Sequence, residues 1–347
     1  MKILRIVDVN FNRAREGLRV IEESVRFICE DKQLLEKIKE IRHKFSKGIL
    51  NYFPSEKLKS QRDVEKDIGR QFDKKQKLNL RQLIENNFFR VEEAIRVIEE
   101  YSKIINPDYF SFFHNLRFEI YECEKKVISK ISRKKINLPC FYVILNLKED
   151  EKNFLNFAER VIKGKPDIVQ LRYKGENSKF FLKIANFLKK NIPDEIIYII
   201  NDRVDICFLC DGDGVHIGKN DLDIEDVRKI IPEKIVGVSI SNVEEIERLK
   251  GKDIDYFAIG SIFKSPTKLE KEPIGLDILK KVKEKISIPL IGIGGINIEN
   301  AKKVIEKGAD GIAVISALEN SQNVEEVIKK LKEEINKGWK KREKGII

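Results

Sequence analysis

The 347-residue chain contains no apolar run near the roughly 18 residues that a membrane-spanning helix needs. Its opening stretch, MKILRIVDVN, becomes charged too soon to form the apolar segment of a secretory signal. These two absences predict a chain without membrane association, located by default in the cytoplasm.

Cysteine and histidine are also scarce. The five cysteines are an odd number without the spacing of a disulfide framework, and the three histidines are scattered along the sequence. The pair in CFLC (207–210) has CxxC spacing, but no second pair or histidine cluster accompanies it, and its setting is typical of a buried amphipathic helix. The sequence therefore predicts neither a zinc site nor a cysteine-based site.

Charge is abundant and unbalanced. The net charge of +11 admits anionic partners such as nucleic acid or phosphorylated metabolites. However, the basic residues fall in scattered KK pairs and in the tail KGWKKREKGII, without aromatic interleaving. This pattern favours solvated helix faces, and nucleic acid is not predicted as a partner.

The first part of the chain, residues 1–132, repeats itself. NFNRAREGLRVIEE (10–23) returns as NFFRVEEAIRVIEE (87–100), 77 residues later. In each copy the apolar residues recur at helical spacing, and a second helical pattern follows. We therefore predict an all-α domain built from a duplicated helical hairpin, with QRDVEKDIGRQFDKK as a polar connection.

Residues 133–347 follow a different rhythm, in which short β-branched runs alternate with helical segments. Eight such units fit into about 200 residues, which predicts a (β/α)₈ TIM barrel, with an open doubly wound sheet as the alternative. The predicted strands are FYVILN, DIVQLR, EIIYIIN, GVHI, KIVGVSI, YFAIGSIF, PLIGIGG and GIAVIS.

Basic and acidic residues follow the second, third and fourth strands. Gln170, Arg172 and Lys174 alternate, so they share one strand face and suit a polyanion, although two solvated basic residues would explain them as well. Asp202 and Asp221 follow adjacent strands and suit Mg²⁺ with phosphate oxygens, whereas helix capping is the simpler alternative for either alone.

A second anion site is predicted after the last three strands. Glycines after strand seven (Gly294, Gly295) and Ser316 after strand eight are typical of the phosphate cup of this fold. The loop after strand six adds Ser265, Thr267 and Lys268. Two anion sites at one barrel mouth fit a reaction that joins a diphosphate to a phosphorylated substrate.

The motif order QLRYK, ND, DGVHIGKND, GVSIS, GSIFKSPTK, IGGI, GIAVISA over residues 140–335 resembles the thiamine phosphate synthase family. The resemblance implies a transferase that joins hydroxymethylpyrimidine diphosphate to thiazole phosphate, giving thiamine monophosphate and pyrophosphate. It implies Mg²⁺ on Asp202 and Asp221, and electrostatic catalysis by Arg172, Lys174, Ser239 and Lys268. The implied pyrimidine diphosphate contacts are Gln170, Arg172, Lys174, Asn201, Ser239 and Lys268, and the implied thiazole phosphate contacts are Ser265, Thr267, Gly295, Ile315 and Ser316.

One position departs from the family pattern. Ser241 stands where the family commonly has a histidine, two residues after the serine of GVS. The related thiazole tautomerase uses a histidine in this region, so Ser241 argues against that alternative. A non-catalytic protein that senses thiamine precursors is the alternative from another class, and the two aspartates argue against it.

The repeated helical half resembles a domain fused to such synthases and assigned as a hydroxymethylpyrimidine phosphate kinase. That resemblance implies a bifunctional chain that binds ATP, although no GxxxxGK[ST] loop is present. The phosphate-binding candidates are Asn10, Arg13, Arg19, Asn87, Arg90 and Arg96, with Asp63 or Asp67 near a metal. The alternative is that the arginines form ion pairs along their own helices. The oligomeric state stays open, with a homo-oligomer as one option.

Overall fold

A computed structural model describes residues 2–53, 56, 58, 77–148, 150–264, 272–319 and 321–345. The chain divides into two compact units, Met1–Ser132 and Arg133–Ile347. In the described residues the first unit is helical, and the second is a closed eight-stranded barrel with helices, so the predicted fold class is confirmed. The predicted polar connection, with Asp63 and Asp67, lies outside the described residues.

Four long helices make up the described part of the first unit: α1 (Lys2–Ser24), α2 (Lys32–Tyr52), α3 (Leu80–Ile105) and α4 (Phe110–Ser132). A π-helical turn, Val25–Cys29, follows α1, and a 3₁₀ turn, Pro107–Tyr109, precedes α4. The Asp31 side chain accepts hydrogen bonds from the first backbone N–H groups of α2, and Asn79 begins α3 with a capping box.

The repeat buries the same face of α1 and α3. Equivalent residues at the 77-residue offset form one core, and these pairs are Phe11/Phe88, Ala14/Val91, Leu18/Ile95 and Ile21/Ile98. Gly17 allows a close approach, since a Cβ there would lie 2.7 Å from Val91 Cγ2 and 3.0 Å from the Asn87 carbonyl oxygen. The duplicated hairpin is therefore a duplication of the core as well as of the sequence.

Each copy also buries one carboxylate that ties its hairpin together. Glu22 on α1 accepts hydrogen bonds from Arg19 (3.2 Å) and from Arg42 on α2 (2.6 Å). Its equivalent on α3 accepts from Arg96 (2.7 Å) and from Arg117 on α4 (2.8 Å). Burial alone would raise the pKa of this second carboxyl group, Glu99, but hydrogen bonds from Arg117 and His114 hold it below its usual value.

The barrel is closed in the order β1 to β8, with every neighbouring pair parallel. The strands are β1 (Cys140–Leu147), β2 (Ile168–Tyr173), β3 (Ile197–Asn201), β4 (Gly214–Ile217), β5 (Ile235–Ile240), β6 (Tyr256–Ile259), β7 (Leu290–Ile293) and β8 (Gly311–Val314). All eight coincide with the predicted β-branched runs, although β1 extends one residue beyond its run at each end and β2 extends one residue at its carboxyl end. Closure therefore excludes the open doubly wound alternative.

The helices of this unit are α5 (Glu151–Lys163), α6 (Ser178–Asn191), α7 (Val204–Leu209), α8 (Ile224–Ile230), α9 (Glu244–Arg248), α10 (Asp277–Lys283), α11 (Ala301–Glu306), α12 (Ser316–Glu319) and α13 (Val324–Glu343). Over the described parts of both units, none of the helices combines the length and the apolar character needed to cross a membrane. The CFLC segment forms the end of α7 and its C-cap, with both cysteines buried as predicted but with Phe208 and Leu209 exposed. Burial raises the pKa of the Cys207 thiol to about 12.

Alternation along the strands separates two apolar clusters. Outward residues such as Val169, Val215 and Val236 pack against the helices, while inward residues such as Ile168 and Ile199 fill the interior. Because the side-chain period of a strand is two, the same alternation decides which polar residues enter the barrel near its carboxyl end.

Four aspartates organise the opposite end of the barrel. Each immediately precedes an even-numbered strand and accepts a hydrogen bond from the first residues of the strand before it: Asp167 from Phe141 N (2.7 Å), Asp213 from Tyr198 N (2.9 Å), Asp255 from Val236 N (2.8 Å) and Asp310 from Leu290 N (2.9 Å). Each carboxylate also pairs with a cation, respectively Lys332, Lys134, Arg228 and Lys283. The barrel is thus built from four similar strand pairs at its amino-terminal end.

One carboxyl pair in the helical unit makes stability depend on pH. Burial, together with the nearby Glu124 carboxyl group, raises the pKa of Glu92 to about 8 from a normal value of 4.5. The folded chain therefore holds an extra proton between these two pH values, and its unfolding free energy falls as the pH rises through that window.

We expect Glu92→Gln to remove this fall, because glutamine keeps the hydrogen bond to Glu124 without a charge. After allowance for solvent screening, the variant should gain about 1 kcal/mol over the wild type at pH 9 and little at pH 5. Calorimetric unfolding of the full chain between pH 5 and pH 9 measures the difference. The exposed Glu16→Gln is the control, and parallel curves for wild type and Glu92→Gln would contradict the prediction.

Candidate active site

The inward-facing ends of β2 and β3 meet at the barrel mouth. Gln170 is buried in the interior, and its Nε2 donates to Asn201 Oδ1 at 2.5 Å. Arg172, two residues further along β2, is partly exposed and donates from Nη1 to Asn146 Oδ1 on β1 at 2.8 Å. The predicted alternation of Gln170 and Arg172 is thus observed, and Asn146 is an additional residue that orients the guanidinium group.

Lys174 and the two predicted metal ligands form one cluster just beyond the strands. Lys174 Nζ donates to Asp202 Oδ2 at 2.6 Å, and Gly218 N donates to Asp221 Oδ2 at 2.7 Å. Burial raises the pKa of Asp221, and the adjacent Asp202 carboxylate raises it further. Asp202 has a left-handed backbone with φ +62°, a conformation that few non-glycine residues adopt.

Helix capping does not account for these two acids. Arg203 occupies the N-cap position of α7, and Asp223 occupies that of α8. Two carboxylates held this close repel each other, and a divalent cation with oxygen ligands would relieve that repulsion. The donor set therefore fits Mg²⁺. The site supplies two carboxylates, and nowhere in the described part of the chain, this mouth included, does a group of three or more His, Cys, Asp or Glu side chains gather for a metal.

The glycine cup lies at the ends of β7 and β8. A small cavity of about 20 Å³ is lined by Ile293, Gly294, Gly295, Ile296, Ala313, Val314, Ile315 and Ser316. Gly294 and Gly295 have φ values of +100° and +66°, and a Cβ on Gly295 would lie 2.5 Å from the Lys264 carbonyl oxygen. A larger cavity of about 230 Å³ lies near the amino-terminal ends of the strands, beside Lys134 and Asp167, away from this mouth.

Of the remaining residues singled out in the sequence, Ser239 and Ser241 are described by the structure and three others are not. Ser239 lies on β5, is exposed, and contacts His216 Nε2 at 2.8 Å. Ser241 is exposed beyond the end of β5, where its backbone N–H donates to Glu245 Oε2 at 2.7 Å. Ser265, Thr267 and Lys268 lie outside the described residues, so their roles stay predictions.

Sequence reasoning missed a buried polar layer beneath the mouth. Tyr142, His216 and Tyr256 point into the barrel and link Ser239 to Gln170 by hydrogen bonds. His216 appeared only as one of three scattered histidines in the sequence. Strand alternation could have found these residues, since each occupies an inward position in the same register as its apolar neighbours.

A paired-carboxylate cluster and a glycine cup at one mouth define a (β/α)₈-barrel enzyme for phosphorylated small molecules. Residues 141–318 match the model for thiamine monophosphate synthase, and residues 5–126 match that of the ThiD2 family. The chain belongs to the thiamine-phosphate synthase family, whose members are transferases.

Individual relatives agree over both units. A thiamine-phosphate synthase of Synechocystis sp. is 33% identical over 92% of this chain and 93% of its own length. One from Prochlorococcus marinus subsp. pastoris is 33% identical over 96% of this chain and 97% of its own. The solved thiamine phosphate pyrophosphorylase of Pyrococcus furiosus is 30% identical with a TM-score of 0.52, covering 58% of this chain and 96% of that one.

The close packing at the cup yields a stability prediction. We expect Gly295→Ala to be strongly destabilising, because the new methyl group adds a clash with Lys264 to the strain of a left-handed alanine. Gly275→Ala is the matched control, since Gly275 has a similar φ of +76° and nothing within 4 Å of an added Cβ. It should cost only about 1 kcal/mol.

Thermal unfolding of both variants measures the difference, and inorganic phosphate should protect the Gly275→Ala protein but not the Gly295→Ala protein. Equal losses of stability in the two variants would show that close approach at Gly295 is unimportant.

Proposed function

We propose that the barrel unit joins hydroxymethylpyrimidine diphosphate to thiazole phosphate, giving thiamine monophosphate and pyrophosphate. The observation that carries the proposal is the cluster of Lys174, Asp202 and Asp221 beside Arg172, at the same mouth as the glycine cup. The cluster of cations and carboxylates suits a diphosphate, and the glycine cup suits a monophosphate. The reaction requires one site of each kind.

The diphosphate is the group that leaves. Cleavage of the bond between the pyrimidine methylene carbon and the bridging oxygen places negative charge on pyrophosphate and positive charge on the methylene. Arg172 and Lys174 offset the negative charge, and Asn146 holds the Arg172 guanidinium in place beforehand. Asp202 and Asp221 would hold Mg²⁺, which would supply further positive charge to offset the charge that develops on pyrophosphate.

The thiazole phosphate binds at the cup. Backbone N–H groups near Gly295 and Ser316 approach the phosphate closely because Gly294 and Gly295 lack side chains. This anchor orients the thiazole, whose ring nitrogen captures the pyrimidine methylene. The bond between nitrogen and carbon forms from the nitrogen lone pair, so no general base is required for either step.

Asp202→Asn should lower the synthesis of thiamine monophosphate at least about 100-fold, because it removes one metal ligand and the partner of Lys174. Asp211→Asn is the control, since Asp211 also has a left-handed backbone, with φ +53°, and also pairs with a lysine, Lys234. The assay supplies both substrates and Mg²⁺ to the full chain and measures both products. No product from the wild type would refute the proposal, and EDTA should abolish turnover.

For the helical unit, we propose ATP-dependent phosphorylation of hydroxymethylpyrimidine phosphate, which would feed the barrel reaction. The match of residues 5–126 to the ThiD2 family supports a separate activity here. The structure reduces the number of candidate phosphate-binding residues, because Arg19 and Arg96 already pair with buried glutamates. Arg13 and Arg90 are exposed and make no ion pair with the residues that the structure describes.

We therefore expect Arg13→Gln or Arg90→Gln to raise the KM for hydroxymethylpyrimidine phosphate about tenfold by removing a charged phosphate contact. The measurement uses the full chain with Asp202→Asn in the barrel, so that the diphosphate accumulates when ATP is supplied. The exposed Lys39→Gln on α2 is the control. Absence of any ATP-dependent diphosphate would overturn this second proposal without affecting the first.

A further inference from the structure

Six strands each contribute one side chain to a continuous hydrogen-bonded row inside the barrel. The row runs from Ser239 through His216, Tyr256, Tyr142 and Gln170 to Asn201. Successive donor–acceptor distances along it are 2.8, 3.0, 2.9, 2.6 and 2.5 Å. Ser239 is exposed at the mouth, whereas His216 is only 8% exposed and both tyrosines are fully buried.

Counting hydrogens gives this row a direction. A phenol carries one hydrogen, and Tyr142 donates its own to Gln170 Oε1. The contact between Tyr142 and Tyr256 therefore needs the hydrogen of Tyr256. Burial raises the pKa of both tyrosines, so each remains a phenol with a single hydrogen to give.

The direction then passes to the histidine. With its hydrogen given to Tyr142, Tyr256 can only accept from His216, so Nδ1 carries the imidazole hydrogen. In neutral imidazole Nε2 is then an acceptor, and the Ser239 hydroxyl donates to it. The Ser239 oxygen therefore presents only lone pairs, and no hydrogen, to a ligand at the mouth.

Packing keeps the two rings in this arrangement. The His216 and Tyr256 rings are stacked with centroids 5.6 Å apart and an interplanar angle of 27°. Gly237 on β5 leaves room for the phenol, since a Cβ there would lie 2.0 Å from Tyr256 Cζ. Any residue larger than glycine at position 237 would therefore displace this phenol ring.

We propose that His216 is a positioning residue, fixed in its Nδ1–H tautomer by Tyr256 and Tyr142, which makes Ser239 Oγ a hydrogen-bond acceptor for the substrate. This proposal rests on the proposed barrel function, and it takes the amino group attached to the pyrimidine ring as the N–H donor whose hydrogen bond Ser239 accepts. If the hydrogen bonds along the row ran in the opposite direction, the Ser239 hydroxyl would donate toward the mouth. The site would then bind a hydrogen-bond acceptor of the substrate instead.

The test reads the tautomer directly, by long-range ¹H–¹⁵N correlation spectra of the full chain labelled at histidine. The His216 signals are assigned by their loss in His216→Gln. We expect a protonated, pyrrole-type Nδ1 and an unprotonated, pyridine-type Nε2. A protonated Nε2, alone or together with Nδ1, would overturn the proposal.

A remote substitution sharpens the test. Tyr142→Phe removes the acceptor of the Tyr256 hydrogen, which then turns to His216 Nδ1 and moves the imidazole hydrogen to Nε2. Tyr198→Phe is the matched control, because Tyr198 is also buried but its hydroxyl donates to the Ala185 carbonyl oxygen outside the barrel interior. An unchanged tautomer in Tyr142→Phe would contradict the one-way row.

The kinetic effect separates this inference from the proposed reaction. Tyr142→Phe should raise the KM for hydroxymethylpyrimidine diphosphate about tenfold with a smaller change in kcat. In this variant the Ser239 hydroxyl becomes a hydrogen-bond donor and faces a donor of the substrate, so the hydrogen bond between them is lost. If the wild type made no thiamine phosphate, the proposed function would fail while the tautomer spectra still decided the role of His216. A kcat loss with unchanged KM would overturn the positioning role.

Discussion

Strand alternation in a closed barrel is the constraint on which the rest of the barrel unit depends. Each interior side chain has only other interior side chains as neighbours, so an interior polar group must find its partner there. Isoleucines such as Ile168 and Ile199 fill the lower part without polar atoms. Above them, Tyr142, His216 and Tyr256 satisfy one another, and they therefore form a fixed base for the residues at the mouth.

The two ends of the barrel meet different demands. At the amino-terminal end, buried aspartates such as Asp213 and Asp310 accept hydrogen bonds from backbone N–H groups and form ion pairs with basic side chains. Their negative charges are therefore neutralised within the fold. At the other end, Asp202 and Asp221 lie beside each other with Lys174 and keep oxygen atoms available to a cation. Similar residues thus stabilise one end and prepare the other for a charged ligand.

The sequence alone was sufficient for the eight units and for the inward placement of Gln170 and Arg172, because both follow from a period of two along one strand. It was also sufficient to place Asp202 and Asp221 near each other, since adjacent parallel strands end at the same edge. It did not reveal Asn146 or His216 as part of the site. Alternation gives the inward direction of His216, but the partners of both residues lie on other strands, and only the register of the closed barrel brings them together.

The duplication in the helical unit preserves some side-chain pairs and breaks the symmetry of others. The ion pairs of Arg19 and Arg96 recur because their glutamates are buried in the same way in each copy, so these arginines belong to the fold. At the 77-residue offset, however, Glu92 stands where the first copy has Arg15, and symmetry is broken at that pair. Since Arg13 and Arg90 remain symmetric and exposed without a role in the described core, phosphate binding is better sought at these two arginines than across the whole polar face.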